Sequence, residues 1–374
     1  MGKKSKIGWT DDTANPWIGC EKVSDGCKFC YAETFVEGRL KQDFKVRRPT
    51  KGALPDLLRW NVRPLICNGC GEANLNNYET CRKCFGSPAF FHRRRVFVGS
   101  MMDVLDDKVP FQWLAKLMGI VWECKNLDFL FLTKRPEKFQ ERMLLAGMDM
   151  MGYVDHQKST LPEALSEYPE DATEMVLGWS KLEICPANVW FGVTVENQAM
   201  AEERIPLLLD IPAKVRWLSV EPMLEKIDLY LDSETVWICR ECKSENVDTE
   251  VQVGPDDVST YKCSGCGYFG SGEEAGTKSA IDWVVCGGES GPGARPFQVD
   301  WARDVVRQCK AADVACFVKQ MGSNPVETVT VPEPGNARGG IPANLPLGLK
   351  SKKGDDPAEW PVDLRVQQWP EVVR

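Results

Sequence analysis

The sequence predicts an α/β fold, a partial or full parallel (β/α) barrel with two inserted zinc ribbons, and three observations predict it. Short apolar runs rich in Val, Phe and Leu alternate with helical patterns, as in parallel β/α units. Polar residues gather just after those runs, where such a barrel keeps its working groups. Paired cysteines fall in polar stretches between the runs, at the spacing of metal knuckles.

Taken in order, strands are predicted from Arg95 to Gly99, Leu127 to Leu132, Val189 to Val195, Val215 to Val220, Ile281 to Cys286 and Ala315 to Lys319. Helical patterns run from about Val109 to Glu123, Pro136 to Ala146, Asn197 to Leu209 and Asp300 to Ala311. Residues 1–322 form the barrel, interrupted by ribbons at 64–88 and 235–276 and by an irregular, initially acidic and Met-rich stretch at 148–184 with room for one helix. A Pro- and Gly-rich tail, 323–374, is expected to pack over the barrel. Five strand ends carry ionisable or amide groups: Ser100 and Asp103; Lys134 and Arg135; Glu196 and Asn197; Glu221; and Gly287, Gly288 and Glu289. Any one of these reads as a helix cap or a surface charge, but five in register read as a shared pocket.

With 374 residues, 43% hydrophobic and 27% charged, the chain can bury a large core. Its net charge of -8 excludes a surface coated in basic groups, leaving local clusters such as Lys45 to Arg48 and Arg93 to Arg95 as possible phosphate contacts. No apolar run approaches the roughly 20 residues of a membrane span, and the opening Met-Gly-Lys-Lys-Ser-Lys lacks a signal-peptide core, so a cytoplasmic location is expected.

Sixteen cysteines in such a chain point to metal rather than disulfides. Five C-x2-C pairs occur, where random placement gives on the order of one. Cys67, Cys70, Cys81 and Cys84 match a four-thiolate zinc ribbon, and Cys239, Cys242, Cys263 and Cys266 repeat it with a longer excursion. Disulfides in an exported protein, or further iron-sulfur clusters, are the competing readings. Cys20, Cys27 and Cys30 form a C-x6-C-x2-C triplet followed by Tyr31. Three thiolates on a [4Fe-4S] cluster leave one iron open for a substrate or cofactor, whereas a third zinc site would need His92 or His156, neither at a ligand-like spacing. Cys124, Cys185, Cys286, Cys309 and Cys316 sit in apolar surroundings and read as packing residues.

The stretch Asn15-Pro-Trp-Ile-Gly-Cys20 with Cys27-Lys-Phe-Cys30-Tyr-Ala32 resembles the cluster loop of radical S-adenosylmethionine enzymes, and among them the relatives of spore photoproduct lyase. Those enzymes usually place three residues between the first two cysteines; this chain places six. Leu132 to Glu137, Gly192 to Gln198, Arg216 to Pro222, Gly287 to Pro296 and the Asp-Pro-Ala-Glu-Trp-Pro ending resemble a phage and prophage family of unknown function, to whose common pattern the ribbons do not belong. Phage coding would make the host cytoplasm the location. The first resemblance implies a radical-SAM-type barrel in which Cys20, Cys27 and Cys30 ligate the cluster and S-adenosylmethionine is cleaved to a 5′-deoxyadenosyl radical. It places Tyr31 near the adenine, Ser100 and Asp103 at the cofactor amine, Lys134 and Arg135 at its carboxylate, and Glu196 and Asn197 at the ribose, with Glu221, Gly287, Gly288 and Glu289 in the same pocket. It further implies a nucleobase substrate, such as a hypermodified thymidine in phage DNA, and an electron donor such as flavodoxin or ferredoxin; the two structural zinc ions follow from the cysteine spacing alone. Arg47, Arg48, Arg93 to Arg95, Arg240 and Lys243 would then meet phosphate. The competing classes are a zinc-rich nucleic-acid-binding module without iron and a metal-dependent nuclease using Asp103, Glu196, Glu221 and Glu289.

Overall fold

The computed structural model describes residues 5–74, 80–81, 83–85, 91–152, 168–232, 235–238, 247–250, 260–263, 269–271, 276–333 and 336–371. Its centre is a seven-stranded, all-parallel sheet of β1 (Asp12–Ala14), β2 (Arg95–Val98), β3 (Asp128–Thr133), β4 (Val189–Thr194), β5 (Val215–Val220), β6 (Trp283–Gly287) and β7 (Ala315–Gln320). The strands pair in chain order, and β1 and β7 form its two edges, so the predicted barrel is the partial one. Six of the strands coincide with predicted runs to within two residues; β1 does not, because Asp-Thr-Ala carries no apolar pattern of its own.

Among the described residues seven α-helices accompany the sheet: α1 (Tyr31–Arg39), α2 (Ala53–Asn61), α3 (Phe111–Glu123), α4 (Phe139–Met150), α5 (Glu170–Ser180), α6 (Gln198–Asp210) and α7 (Val299–Ala311). The outer face of the sheet buries alternate side chains, including Val96, Phe129, Phe131, Phe191 and Val284, together with apolar residues of α3 to α7. The inner face holds a separate aromatic core of Trp9, Phe97, Leu130, Trp190, Trp217, Trp283 and Phe317. Trp9, ahead of β1, lies 5.2 Å from Trp217 of β5 and 6.0 Å from Trp283 of β6. Rings from opposite halves of the sheet meet only because it curls into a half-barrel.

The tail lies along the open edge. Val318 N–H donates to Val366 O, and Gln368 N–H to Cys316 O, both at 2.8 Å. Trp369 then packs edge-on against Phe317 at 5.0 Å, stacks under Arg95 at 4.6 Å and donates to Trp9 O at 3.3 Å, bridging the two edges near their N-terminal ends. Between these parts, strand Pro325–Glu333 pairs with Asn336–Pro346 and with Phe297–Gln298 ahead of α7. No helix of the described residues is long and apolar enough to cross a membrane.

Both cysteine-rich insertions leave from the N-terminal end of the sheet. The first returns through Phe91–Arg93 directly into β2, and the second is closed by Thr235–Ile238 against Gly276–Ser279 just ahead of β6.

Candidate functional site

At the opposite, C-terminal end, the chain leaving β1 is laid over the rim of strand ends. The Asn15 amide nitrogen donates to Ser100 Oγ at 2.9 Å while its oxygen accepts from Met101 N–H at 2.8 Å, and Gly19 N–H donates to Met101 O at 3.1 Å. The next residues carry the cysteine triplet, and polar contacts tie them to four strand ends. Beyond β2, Ser100 O accepts from the Tyr31 hydroxyl. Beyond β3, Arg135 donates to Cys20 Sγ at 3.6 Å and to Glu21 O at 3.0 Å. Beyond β4, Glu196 accepts from the Ser24 hydroxyl, and beyond β6, Arg295 donates to Asp25 O at 3.0 Å.

Gly26 makes the third contact possible: a Cβ there would lie 2.7 Å from Glu196 Oε1, and Glu196 is fully buried and held by Arg204 at 2.9 Å. Cys20 and Cys30 pack on one small apolar cluster of Ala32, Val36 and Phe44, and Cys27 Sγ lies 3.8 Å from Ser24 Oγ. Burial, then the Asp103 carboxylate, push the Cys20 thiol up to about 12 against the opposing pull of Arg135. Burial also raises Cys30, at the N-cap of α1, although the Ala32 and Glu33 amides favour its thiolate. Cys20 is therefore protonated at neutral pH.

The charged residues of the rim are paired with one another. Asp103 accepts from Thr133 Oγ1 at 2.7 Å, from the amides of Leu105 and Lys134 at 3.0 Å, and from Arg135 at 3.1 Å. The carboxylate expected at a cofactor amine thus braces the end of β3. Glu196 pairs with Arg204 and, at 3.7 Å, with Lys134, while Asn197 caps α6 by accepting from Met200 N–H at 2.9 Å. Burial pushes the Glu196 carboxyl up, but the two cations and Ser24 hold it below the usual carboxylate range. Glu221 pairs with Lys319 at 2.9 Å, and Glu289 holds Arg295 through both oxygens, the shorter contact at 2.6 Å. A Cβ on Gly288 would lie 2.4 Å from Met321 O, so this glycine lets the exit of β6 pack against that of β7. Its neighbour Gly287 lies against Gln320 and Glu221. Four partners here are missed in the sequence: Ser24, Arg204, Arg295 and Lys319. Ser24 lies within the C-x6-C spacing and Arg295 in the Gly287 to Pro296 motif, neither with a role assigned.

The base of the sheet holds a second group. The sulfurs of Cys67, Cys70, Cys81 and Cys84 all lie within 4.8 Å of one another, close enough to bind a single metal ion such as zinc. Cys67 and Cys84, and Cys70 and Cys81, approach to 3.5 Å, and the amides of Cys84 and Lys83 draw the Cys81 thiol down to about 6. Among the described residues no other group of three or more metal-binding side chains is so compact. Cys20, Cys27 and Cys30 do not form such a compact group. Of the second quartet, Cys239, Cys242 and Cys266 lie outside the described residues, as does His156, and Cys263 ends the strand Thr260–Cys263. His92 bridges Asn68, inside the first knuckle, at 2.5 Å and Asp11 at 2.9 Å.

The arginines read as phosphate contacts are engaged within the chain. Arg47 pairs with Asp106, Arg93 with Asp128, Arg94 with Asp12 and Arg95 with Asp11, and Arg48 donates to the carbonyls of Asp43 and Val46. Arg240 and Lys243 lie outside the described residues. Of the five cysteines read as packing residues, Cys124, Cys286, Cys309 and Cys316 are buried; Cys185 is exposed.

Fold and site together define an α/β protein built on an open parallel half-barrel, with a four-cysteine group able to hold a metal ion. It belongs to DUF5131, a family of proteins of unknown function, which it matches over residues 4–344. No curated protein and no solved structure matches it significantly.

Proposed function

We propose that this chain is a radical S-adenosylmethionine enzyme that modifies or isomerises a nucleobase. One observation carries the reading: a loop with three cysteines, separate from the compact quartet, is tied over the C-terminal mouth of a parallel half-barrel by contacts to four strand ends. Cys20, Cys27 and Cys30 fit a [4Fe-4S] cluster by donor chemistry and number, and leave one iron without a protein ligand. Such a cluster with S-adenosylmethionine supplies hydrogen-abstracting radical chemistry. The chain's own part is to position and to exclude. Arg135 holds the Cys20 sulfur and the Glu21 carbonyl, Ser24 and Arg295 fix the loop between them, and the aromatic floor from Phe97 to Trp283 keeps water from below. The nucleobase, with a hypermodified thymidine in phage DNA as its most specific form, follows from the resemblance to spore photoproduct lyase relatives, and so does an external electron donor of the flavodoxin or ferredoxin type. Cys67, Cys70, Cys81 and Cys84 take a structural zinc, and the spacing of Cys239, Cys242, Cys263 and Cys266 assigns a second.

The test is metal analysis of protein purified and reconstituted without oxygen, with electron paramagnetic resonance before and after S-adenosylmethionine. About four iron and about two zinc per chain, with a spectrum that shifts on adding the cofactor, is the expected result. Zinc without iron would sink it in favour of a zinc-rich nucleic-acid-binding module, the reading that the compact quartet favours. A nuclease is disfavoured because Asp103, Glu196, Glu221 and Glu289 are each bound to a cationic side chain.

A further inference from the structure

Helix α1 buries only Ala32 and Val36, and its opposite face is exposed, held to the rest of the chain through the Tyr31 hydroxyl on Ser100 O. Tyr31, Phe35 and Arg39 follow one another at four-residue spacing and are all exposed, Tyr31 at 55% and Phe35 at 38%. Phe29, between the last two cysteines, is exposed at 37%. Cations sit on these rings: Lys28 lies 5.4 Å and Arg295 5.5 Å from the centre of Phe29, and Arg39 lies 5.7 Å from that of Phe35. Exposed aromatic side chains are costly without a partner, and three of them beside a candidate reaction centre call for one.

Charge says which. Residues 21–51 carry eight lysines and arginines against five acidic residues, in a chain of net charge -8. Two of those cations and three of those acids are already occupied: Lys22 with Glu33 at 2.7 Å, Arg47 with Asp106 at 2.6 Å, Glu21 with Lys108, and Asp43 with the Lys45 amide at 2.8 Å. No carboxylate among the described residues pairs with the side chains of Lys28, Arg39, Lys41 or Lys45. Rings four apart on a helix stand about 5–6 Å apart at Cβ, between one and two of the roughly 3.4 Å steps of a nucleic-acid strand. Stacking platforms flanked by cations are how proteins hold single strands without reading sequence.

We propose that the ridge of Phe29, Tyr31 and Phe35, with Lys28 and Arg39, is the seat of single-stranded DNA, either free or opened from a duplex, that delivers a base to the mouth. This rests on the nucleobase reading above and names the surface that would serve it. The experiment is fluorescence anisotropy of a labelled 12-nucleotide DNA strand with full-length protein prepared without oxygen, its iron content measured in each sample. The wild type should bind the single strand more tightly than its duplex or the RNA of the same sequence. Phe35→Ala should weaken it at least about five-fold, and Phe29→Ala by a similar factor. Arg39→Glu, clear of the cysteines, should do the same and flatten the dependence on salt.

Single-strand binding that is unchanged in all these folded variants would overturn the ridge while leaving the nucleobase reading standing. Absence of DNA binding by iron-loaded wild type would overturn both. A preference for RNA would overturn the choice of DNA. Loss of flavodoxin binding with DNA binding intact in the same variants would assign the ridge to the electron donor instead.

Discussion

Arg135 shows how much one side chain can be asked to do. It neutralises the buried Asp103 at 3.1 Å and donates to a cysteine sulfur at 3.6 Å. Removing it by Arg135→Gln leaves a carboxylate in a dry site, at an expected cost of about 3–5 kcal/mol in unfolding free energy. Adding Asp103→Asn should recover most of that loss, which a double-mutant cycle in urea would read as coupling; additive losses would mean the two do not act as a pair. Gly26 is the second sensitive position. Gly26→Ala pushes a methyl group against Glu196, which is pinned and has no room to retreat, so a loss of about 1–3 kcal/mol and reduced iron uptake are expected together. Iron uptake equal to wild type would show that the loop can seat without Ser24 and Glu196 in contact.

At the scale of elements, the six long strands were legible because each is an apolar run bounded by turn residues. β1 was not, since Asp12–Ala14 becomes a strand only through its register against Val96 to Val98. Helix α1 was hidden for a similar reason: it buries two small side chains and leaves its rings outside, so it has no apolar stripe to read. The three cysteines were legible from spacing, but their anchors were not. Arg295 reaches Asp25 across 270 residues of chain, a contact for which local sequence carries no signal. The tie between the loop and β4 also has a pH signature. Because Glu196 is held below the usual carboxylate range, its contribution to stability is complete above that range and is lost as pH falls through it. Thermal midpoints measured from pH 7 to 3 should fall less steeply in Glu196→Gln than in wild type; parallel curves would remove Glu196 from the acid limb.

Considered as a whole, the molecule is a half-barrel with its gap closed by its own ends. Trp9 and Trp369 meet at that gap, and the tail covers what would otherwise be an open sheet edge. Trp369→Ala should lower stability by about 1–3 kcal/mol, and ending the chain at residue 344 should produce aggregation on expression. A soluble, monomeric truncation with an unchanged melting temperature would show that the edge needs no cover.

The pairing of Thr235–Ile238 with Gly276–Ser279 gives the second insertion a property of its own. Its two ends emerge side by side, with Ile238 opposite Gly276, at the pole farthest from the cysteine loop. Joining them across a two-residue turn would remove the whole appendage at almost no cost in chain closure. The base of this protein is therefore a socket: what it carries can be unplugged, shortened or exchanged by grafting, with the melting temperature of the remainder as the measure of an intact core.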